Sequence, residues 1–326
     1  LLIGIIVSIL AIVFVTSQIQ LELFVQALRT GRYEYVLPCV FFLLLGLLTR
    51  GIRWRGLMGA KLPFWRTFHI MNVAYLVNGV LPFRLGEVVR MVLISRLPED
   101  EVSMPQAFSS IVIERILDLL AISVLVLFSL ALAPVPATLQ TAGGVAGFFV
   151  VVGFIALVIL AKQRPRVGRW LDLLSERFPV LLRLNAKVLA DGFLKGLEPI
   201  TQPRALISGV GWTAISWAFS LAGGYVLMFA IFEDASLATT MLYIASAAFA
   251  IAVPAVPGNI GTYEASILLA LTAMGYQDSS AMLAFAVLVH AVNVLVHAST
   301  GIIGFIQQGI SLGQLTGGVQ QFQGQK

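Results

Sequence analysis

Charge is scarce in this chain: Asp, Glu, Lys and Arg together make up 11% of 326 residues. Cysteine is scarcer still. The single Cys39 lies in an apolar run, excludes an internal disulfide or a cysteine metal cluster, and reads as a packing residue. Three histidines in the whole chain are too few for a convincing metal site, so no cofactor is expected. The chain also lacks a Ser/His/Asp nucleophile set and a phosphate-cradling motif, so catalysis is not expected. Nucleic acid is not an expected partner.

What is present is hydrophobic length. With 59% apolar residues, the chain cannot hide its side chains inside one soluble globule, which predicts an all-α polytopic membrane protein. A hydrocarbon core of about 30 Å takes roughly 20 apolar residues in helix. Six stretches qualify or nearly do: 1–15, 36–48, 107–133, 142–161, 205–232 and 281–306. The second is short unless it extends to about Tyr33 or Arg53. The first begins at Leu1 and lacks the basic segment and small-residue cleavage site of a secretory signal, so it reads as the end of a trimmed first helix.

Two further stretches, 68–97 and 237–274, are each split by a Pro/Gly break and read as re-entrant helical hairpins. The breaks are Pro82-Phe83-Arg84-Leu85-Gly86-Glu87 and Pro257-Gly258-Asn259-Ile260-Gly261-Thr262-Tyr263-Glu264, whose glutamates lie 177 positions apart. Paired broken segments at matching places in two halves point to a carrier's substrate site. Six spanning helices and two hairpins then form an inverted-topology repeat. Residues 1–133 make the first half, with its hairpin at 68–97 and a helix at 107–133. Residues 134–308 make the second, with a cytoplasmic amphipathic segment at 162–204, the hairpin at 237–274 and a helix at 281–306. The tail 309–326, rich in Gly and Gln, reads as disordered.

Basic residues orient this arrangement, because cytoplasmic loops collect Lys and Arg. Arg50, Arg53, Arg55, Lys61 and Arg66 precede the first hairpin, and nine basic residues from Lys162 to Arg204 fill the longest loop. Both regions should face the cytoplasm, as should both termini, in a plasma (inner) membrane. The balanced loop at 16–35 and the acidic Glu233-Asp234 should lie outside. Val167, Trp170, Leu171, Leu174 and Phe178 recur at helical spacing and predict an interfacial helix, with a second piece at about 181–197.

At the first break, proline stops one half-helix, and the N-terminus of the next carries partial positive charge beside Arg84. That pair suits a phosphate. Glu87 is either a carboxylate capping its own helix start or an exchangeable counter-ion of Arg84. At the second break, Pro257, Gly258 and Gly261 permit close backbone approach, and Asn259 or Thr262 caps the returning helix. Glu264 has no local basic partner, so its partner comes from elsewhere or it stays protonated. Glu114 and Asp118 share one helix face beside Arg115, and His290, Asn293 and His297 share another; each group is either a pathway or gating set or an internal pairing such as Arg115 with Glu87 or Asp118.

Asn78, Pro82, Arg84, Gly86, Glu87 and Arg90 resemble the first signature of the lysylphosphatidylglycerol synthetase transmembrane family, the flippase-like family that contains the membrane domain of the multiple peptide resistance factor. Pro257, Gly258, Gly261, Thr262 and Glu264 resemble its second, with Asn259 where the family pattern expects glycine. The resemblance implies an integral inner-membrane protein that moves or presents anionic or polyprenyl lipids. No stretch resembles the family's soluble aminoacyl-transfer domain, so lysyl transfer by this chain alone is not expected. A flippase or scramblase for an anionic phospholipid or polyprenyl-phosphate-linked lipid is the leading expectation. The alternative is a scaffold that presents lipid to a separate glycosyl- or aminoacyl-transferase. An anionic membrane lipid, such a transferase and a second copy of the chain are the partners considered.

Overall fold

The computed structural model describes residues 20–58, 62–81, 84–95, 102–132, 137–164, 186–252 and 257–309, with isolated positions at 10, 12, 13, 166, 167, 170, 173 and 178. The expected helix at 1–15, the interfacial helix around Trp170, the Gly/Gln-rich tail and Pro82 lie largely or wholly outside the described residues. Those described are helical, with no strand among them. In chain order the helices are α1 (Leu21–Arg29), α2 (Val36–Leu57), α3 (Phe64–Val80), α4 (Leu85–Ser95), α5 (Met104–Leu132), α6 (Ala137–Lys162), α7 (Ala186–Gly196), α8 (Pro203–Met228), α9 (Leu237–Ala252), α10 (Thr262–Ala273) and α11 (Ser279–Gln307).

Among the described residues four segments are long and apolar enough to cross a membrane: Tyr33–Leu57, Gly144–Lys162, Pro203–Met228 and Ser279–Gln307. The second span therefore runs past Arg53, well beyond the 36–48 core of its apolar run. Helix α5 is 29 residues long but carries Glu114, Arg115 and Asp118 within it. The segment expected as an outer loop at 16–35 contains α1, joined to α11 where Gln20 N–H donates to Ser280 Oγ at 3.3 Å.

Both broken stretches fold as helix pairs. Helices α3 and α4 pack on each other, as do α9 and α10, and their second members start at Leu85 and Thr262, 177 residues apart. The first member is longer than the dozen residues suggested by the sequence: α3 begins at Phe64 and runs 17 residues. Contacts between the halves are matched. Helix α2 packs on α8, while α3 packs on α11 and α9 packs on α5, so each pair rests on the long helix of the other half.

Small residues allow these approaches, as is usual where lipid leaves no hydrophobic drive between helices. A Cβ on Gly304 would sit 2.7 Å from the His69 carbonyl oxygen, and one on Gly301 would sit 2.8 Å from that of Asn72. One turn along, Thr300 Oγ1 donates to Asn72 Oδ1 at 3.0 Å, a cross-helix bond worth about 0.6 kcal/mol in a membrane. Helices α2 and α8 meet through Gly46, Ser216, Ser220 and Gly223.

Four apolar clusters are buried among the described residues, and two of them flank the helix pairs. One surrounds Tyr243, Ile267, Leu271 and Phe285; the other surrounds Trp54, Met71, Ile94 and Val296. Because the His69 and Asn72 carbonyls are held in α3, the chain has no inexpensive way to make room at Gly304. Gly304→Val should separate α3 from α11 and destabilise the protein by about 1–3 kcal/mol. A thermal melt in detergent checks this, and an unchanged midpoint would show that the contact at Gly304 is slack.

Candidate ion-network and hairpin site

The centre of the site is a residue counted above as a loop charge. Arg53 lies inside α2 and is 1% exposed. Its Nη2 donates to Glu114 Oε1 at 2.9 Å, and its Nη1 donates to Asp118 Oδ1 at 2.7 Å and to Thr213 Oγ1 at 3.0 Å. Trp217 Nε1 also donates to Asp118 Oδ1, at 3.2 Å. Helices α2, α5 and α8 are thereby joined at one guanidinium.

Arg90, on the first hairpin's α4, forms an ion pair with the other oxygen of Glu114. Its guanidinium carbon stands 3.5 Å from the centre of the Trp54 ring. Arg90 Nε and Nη1 have no hydrogen-bond acceptor among the described residues, and the aromatic face compensates part of that deficit. The Trp54 ring is itself fixed by donation from Nε1 to Ser110 Oγ at 3.0 Å. Arg115 lies 3.5 Å from Glu87 and 3.9 Å from Asp118, which realises the internal pairing considered from the sequence. Glu87 also lies 4.0 Å from Arg90.

Arg84 differs from all of these. It is partly exposed at the break, with φ +54°, and it makes no ion pair or hydrogen bond among the described residues. Glu87 is directed to Arg115 and Arg90 rather than to Arg84. The helix start beside Arg84 is capped by a neutral group, since Gly86 N–H donates to Asn78 Oδ1 at 2.8 Å. A Cβ on Gly86 would fall 2.0 Å from the Ala74 carbonyl oxygen, so α3 and α4 approach as closely as they do only with glycine there.

The second hairpin is organised differently. Gly258, Asn259 and Gly261 all have positive φ, at +74°, +55° and +86°. Asn259 is accommodated there because asparagine tolerates the left-handed region better than most side chains. Glu264 Oε2 accepts from Gly261 N–H at 2.7 Å, and Thr262 Oγ1 donates to the Asn259 carbonyl at 2.9 Å. The absent partner of Glu264 is His290, whose Nδ1 lies 2.5 Å from Glu264 Oε1, with the His290 ring tilted against Tyr263. The two tips meet: the turn Pro257–Asn259 packs on α3, with Gly258 beside the Gly79 carbonyl.

The remaining candidates do not join either group by a direct bond. Asn293 Nδ2 donates to the Val289 carbonyl of its own helix, and the His297 ring meets Tyr75 edge-on. Sequence reasoning missed Arg53, Trp54, Thr213 and Trp217. The signal for the first two was the spacing of Arg50, Arg53 and Trp54, which shares a helix face once the span is carried to Leu57. Nothing in the sequence marked Thr213 or Trp217. Among the described residues no three His, Cys, Asp or Glu side chains converge as a metal would require.

Removing Arg53 would leave Glu114 and Asp118 buried with one partner fewer each. Arg53→Met should therefore destabilise the protein by about 3–5 kcal/mol. Arg53→Lys should recover only part of that, because an ammonium cannot fork between two carboxylates. Thermal unfolding of the purified variants tests both, and a melt like that of the parent for Arg53→Met would refute the central role of this residue.

Comparison with known proteins agrees with the geometry. The family model described as the lysylphosphatidylglycerol synthase TM region matches residues 1–301. The chain is also 25% identical, over 352 aligned positions, to Glycosyltransferase AglD of Haloferax volcanii. That match covers 95% of this chain and 54% of the relative, so the chain spans about half the length of the curated protein it matches.

Proposed function

The chain belongs to the lysylphosphatidylglycerol synthase transmembrane family, and on that premise we propose that it carries an anionic lipid between leaflets, binding the head group at the meeting point of its two hairpins. The observation that carries this reading is Arg84. Every carboxylate of the buried network is matched to Arg53, Arg90 or Arg115, and among the described residues Arg84 is left at the break with no carboxylate at ion-pair distance. A charged side chain at membrane depth is costly, and such residues mark substrate paths. A lipid phosphate supplies the missing counter-charge, with the nearby N-terminus of α4 adding partial positive charge.

In this reading the two hairpins dip into the bilayer from opposite faces, and the halves form an inverted repeat with six spanning helices. Its support is the matched helix order, the exchanged packing of α3 on α11 and α9 on α5, and the contact between Gly258 and Gly79. The nine basic residues of the longest loop support a cytoplasmic position for that loop, and with it for both termini, in an inner membrane. Arg53, being buried, adds nothing to that count. The ion network holds α4 against α2 and α5, so that Arg84 is presented by a rigid wall, while Glu264 and His290 shape the opposing tip.

A second reading draws on the AglD match. A relative named as a glycosyltransferase, with much of its length outside the matched region, is consistent with a membrane unit that presents a lipid to a separate transferase. Leaflet exchange separates the two. Purified protein in phosphatidylcholine liposomes with a trace of labelled anionic lipid should accelerate exchange, and Arg84→Gln should reduce that rate about tenfold while leaving the melt unchanged. Exchange undiminished in Arg84→Gln would remove Arg84 from the site. A folded protein that exchanges none of the anionic lipids would replace transport by presentation.

A further inference from the structure

The charge balance around the first hairpin points to the class of head group. Three carboxylates, Glu87, Glu114 and Asp118, stand within one electrostatically connected group. The arginines of that group number five. Arg53, Arg90 and Arg115 are ion-paired to the carboxylates. Arg84 lies within electrostatic reach of Arg115, Glu87 and Asp118. The fifth is Arg50, one turn before Arg53 on α2 and within reach of Asp118.

Arg50 was read from the sequence as a loop charge, yet it lies within α2. Its Nη2 donates to Ser220 Oγ at 3.2 Å and its guanidinium faces the Trp217 ring at 5.8 Å, with no carboxylate at ion-pair distance. It also lies within electrostatic reach of His297, on α11. Glu264 does not help to balance this group, because its polar partners are His290 and the Gly261 amide. Among the described residues five cations stand against three anions, an excess of two around partly buried guanidinium groups, and such charge is costly to leave unmatched. The buried Nε of Arg115 also lacks an acceptor among the described residues.

We propose that the lipid head group carries two negative charges, one met by Arg84 with Arg115 and the other by Arg50. The inference rests on the reading that the hairpin break binds lipid, and it goes further by excluding a simple phosphodiester as the preferred ligand. A phosphodiester such as phosphatidylglycerol brings one charge and leaves one arginine unmatched. Three chemistries bring two: a phosphomonoester, whose charge is about −1.5 to −2 near neutral pH, a diphosphate, or two linked phosphodiesters.

Lipid retention by native mass spectrometry tests this without requiring transport. The full chain is held in phosphatidylcholine nanodiscs containing phosphatidylglycerol, phosphatidic acid, cardiolipin or undecaprenyl diphosphate. At least one of the last three should be retained about tenfold better than phosphatidylglycerol, and the best of them identifies which chemistry is bound. Arg50→Gln should abolish that preference while phosphatidylglycerol is still retained, and Arg50→Lys, which keeps the charge, should preserve it. Equal retention of all four lipids overturns the proposal, as does a preference unaltered in Arg50→Gln. Should Arg50→Gln fail to fold, the comparison among lipids on the parent protein still decides. Leaflet exchange without a charge preference defeats this inference alone, and a charge preference without leaflet exchange defeats transport alone.

Discussion

An arginine or carboxylate taken out of water loses several kcal/mol of hydration, and inside a helical membrane protein only another charge in good geometry offsets it. The packing around the site follows from this constraint. Arg53 satisfies Glu114 and Asp118 at once, and because those carboxylates are four residues apart they lie on one face of α5, where a planar guanidinium reaches both. Helix α8 is drawn into the same point by Thr213 and Trp217. Arg90 then attaches the first hairpin to the second oxygen of Glu114. A single buried carboxylate thus fixes the position of the helix pair whose break carries Arg84.

Backbone groups at the two breaks face the same demand for partners. A helix that starts inside apolar surroundings exposes amide donors that water would otherwise satisfy. The first hairpin answers with Asn78, an uncharged acceptor contributed by α3, and leaves Arg84 beside the helix start. The second answers with Glu264, a carboxylate from its own first turn, which is itself engaged by His290. One tip therefore retains the electrostatic pull of its helix N-terminus for an anion, and the other has largely cancelled it. The two helix pairs share a plan without sharing a chemistry at their breaks.

Much of this was legible beforehand. The paired breaks, the spacing of 177 between the second members of the helix pairs, and the common face of Glu114 and Asp118 follow from local periodicity and chain breakers, whereas the pairing of Arg115 with Glu87 or Asp118 was one of two alternatives the sequence left open. The reading of Arg50 and Arg53 as loop charges failed for a physical reason. The apolar run weakens after Leu48, and hydropathy alone cannot distinguish a helix ending in water from one continuing into a protein interior that supplies counter-charges. The counter-charges for Arg53 lie 61 and 65 residues away. Glu264 posed the same problem, with its partner 26 residues further along the chain.

The amino-acid sequence by itself determined that this protein lives in a membrane and where two of its segments must break. Each of those is a property of neighbouring residues: apolar length, proline and glycine at defined positions, and the spacing of side chains along a helix. Only the tertiary structure decided which charges are matched and which are left over, because matching depends on helices α2, α4, α5 and α8 converging at one place. Arg53 and Arg84 are both arginines beside apolar runs in the sequence. One became the centre of a closed network and the other, among the described residues, a cation with no ion pair at the first break, and their folded surroundings alone separate them.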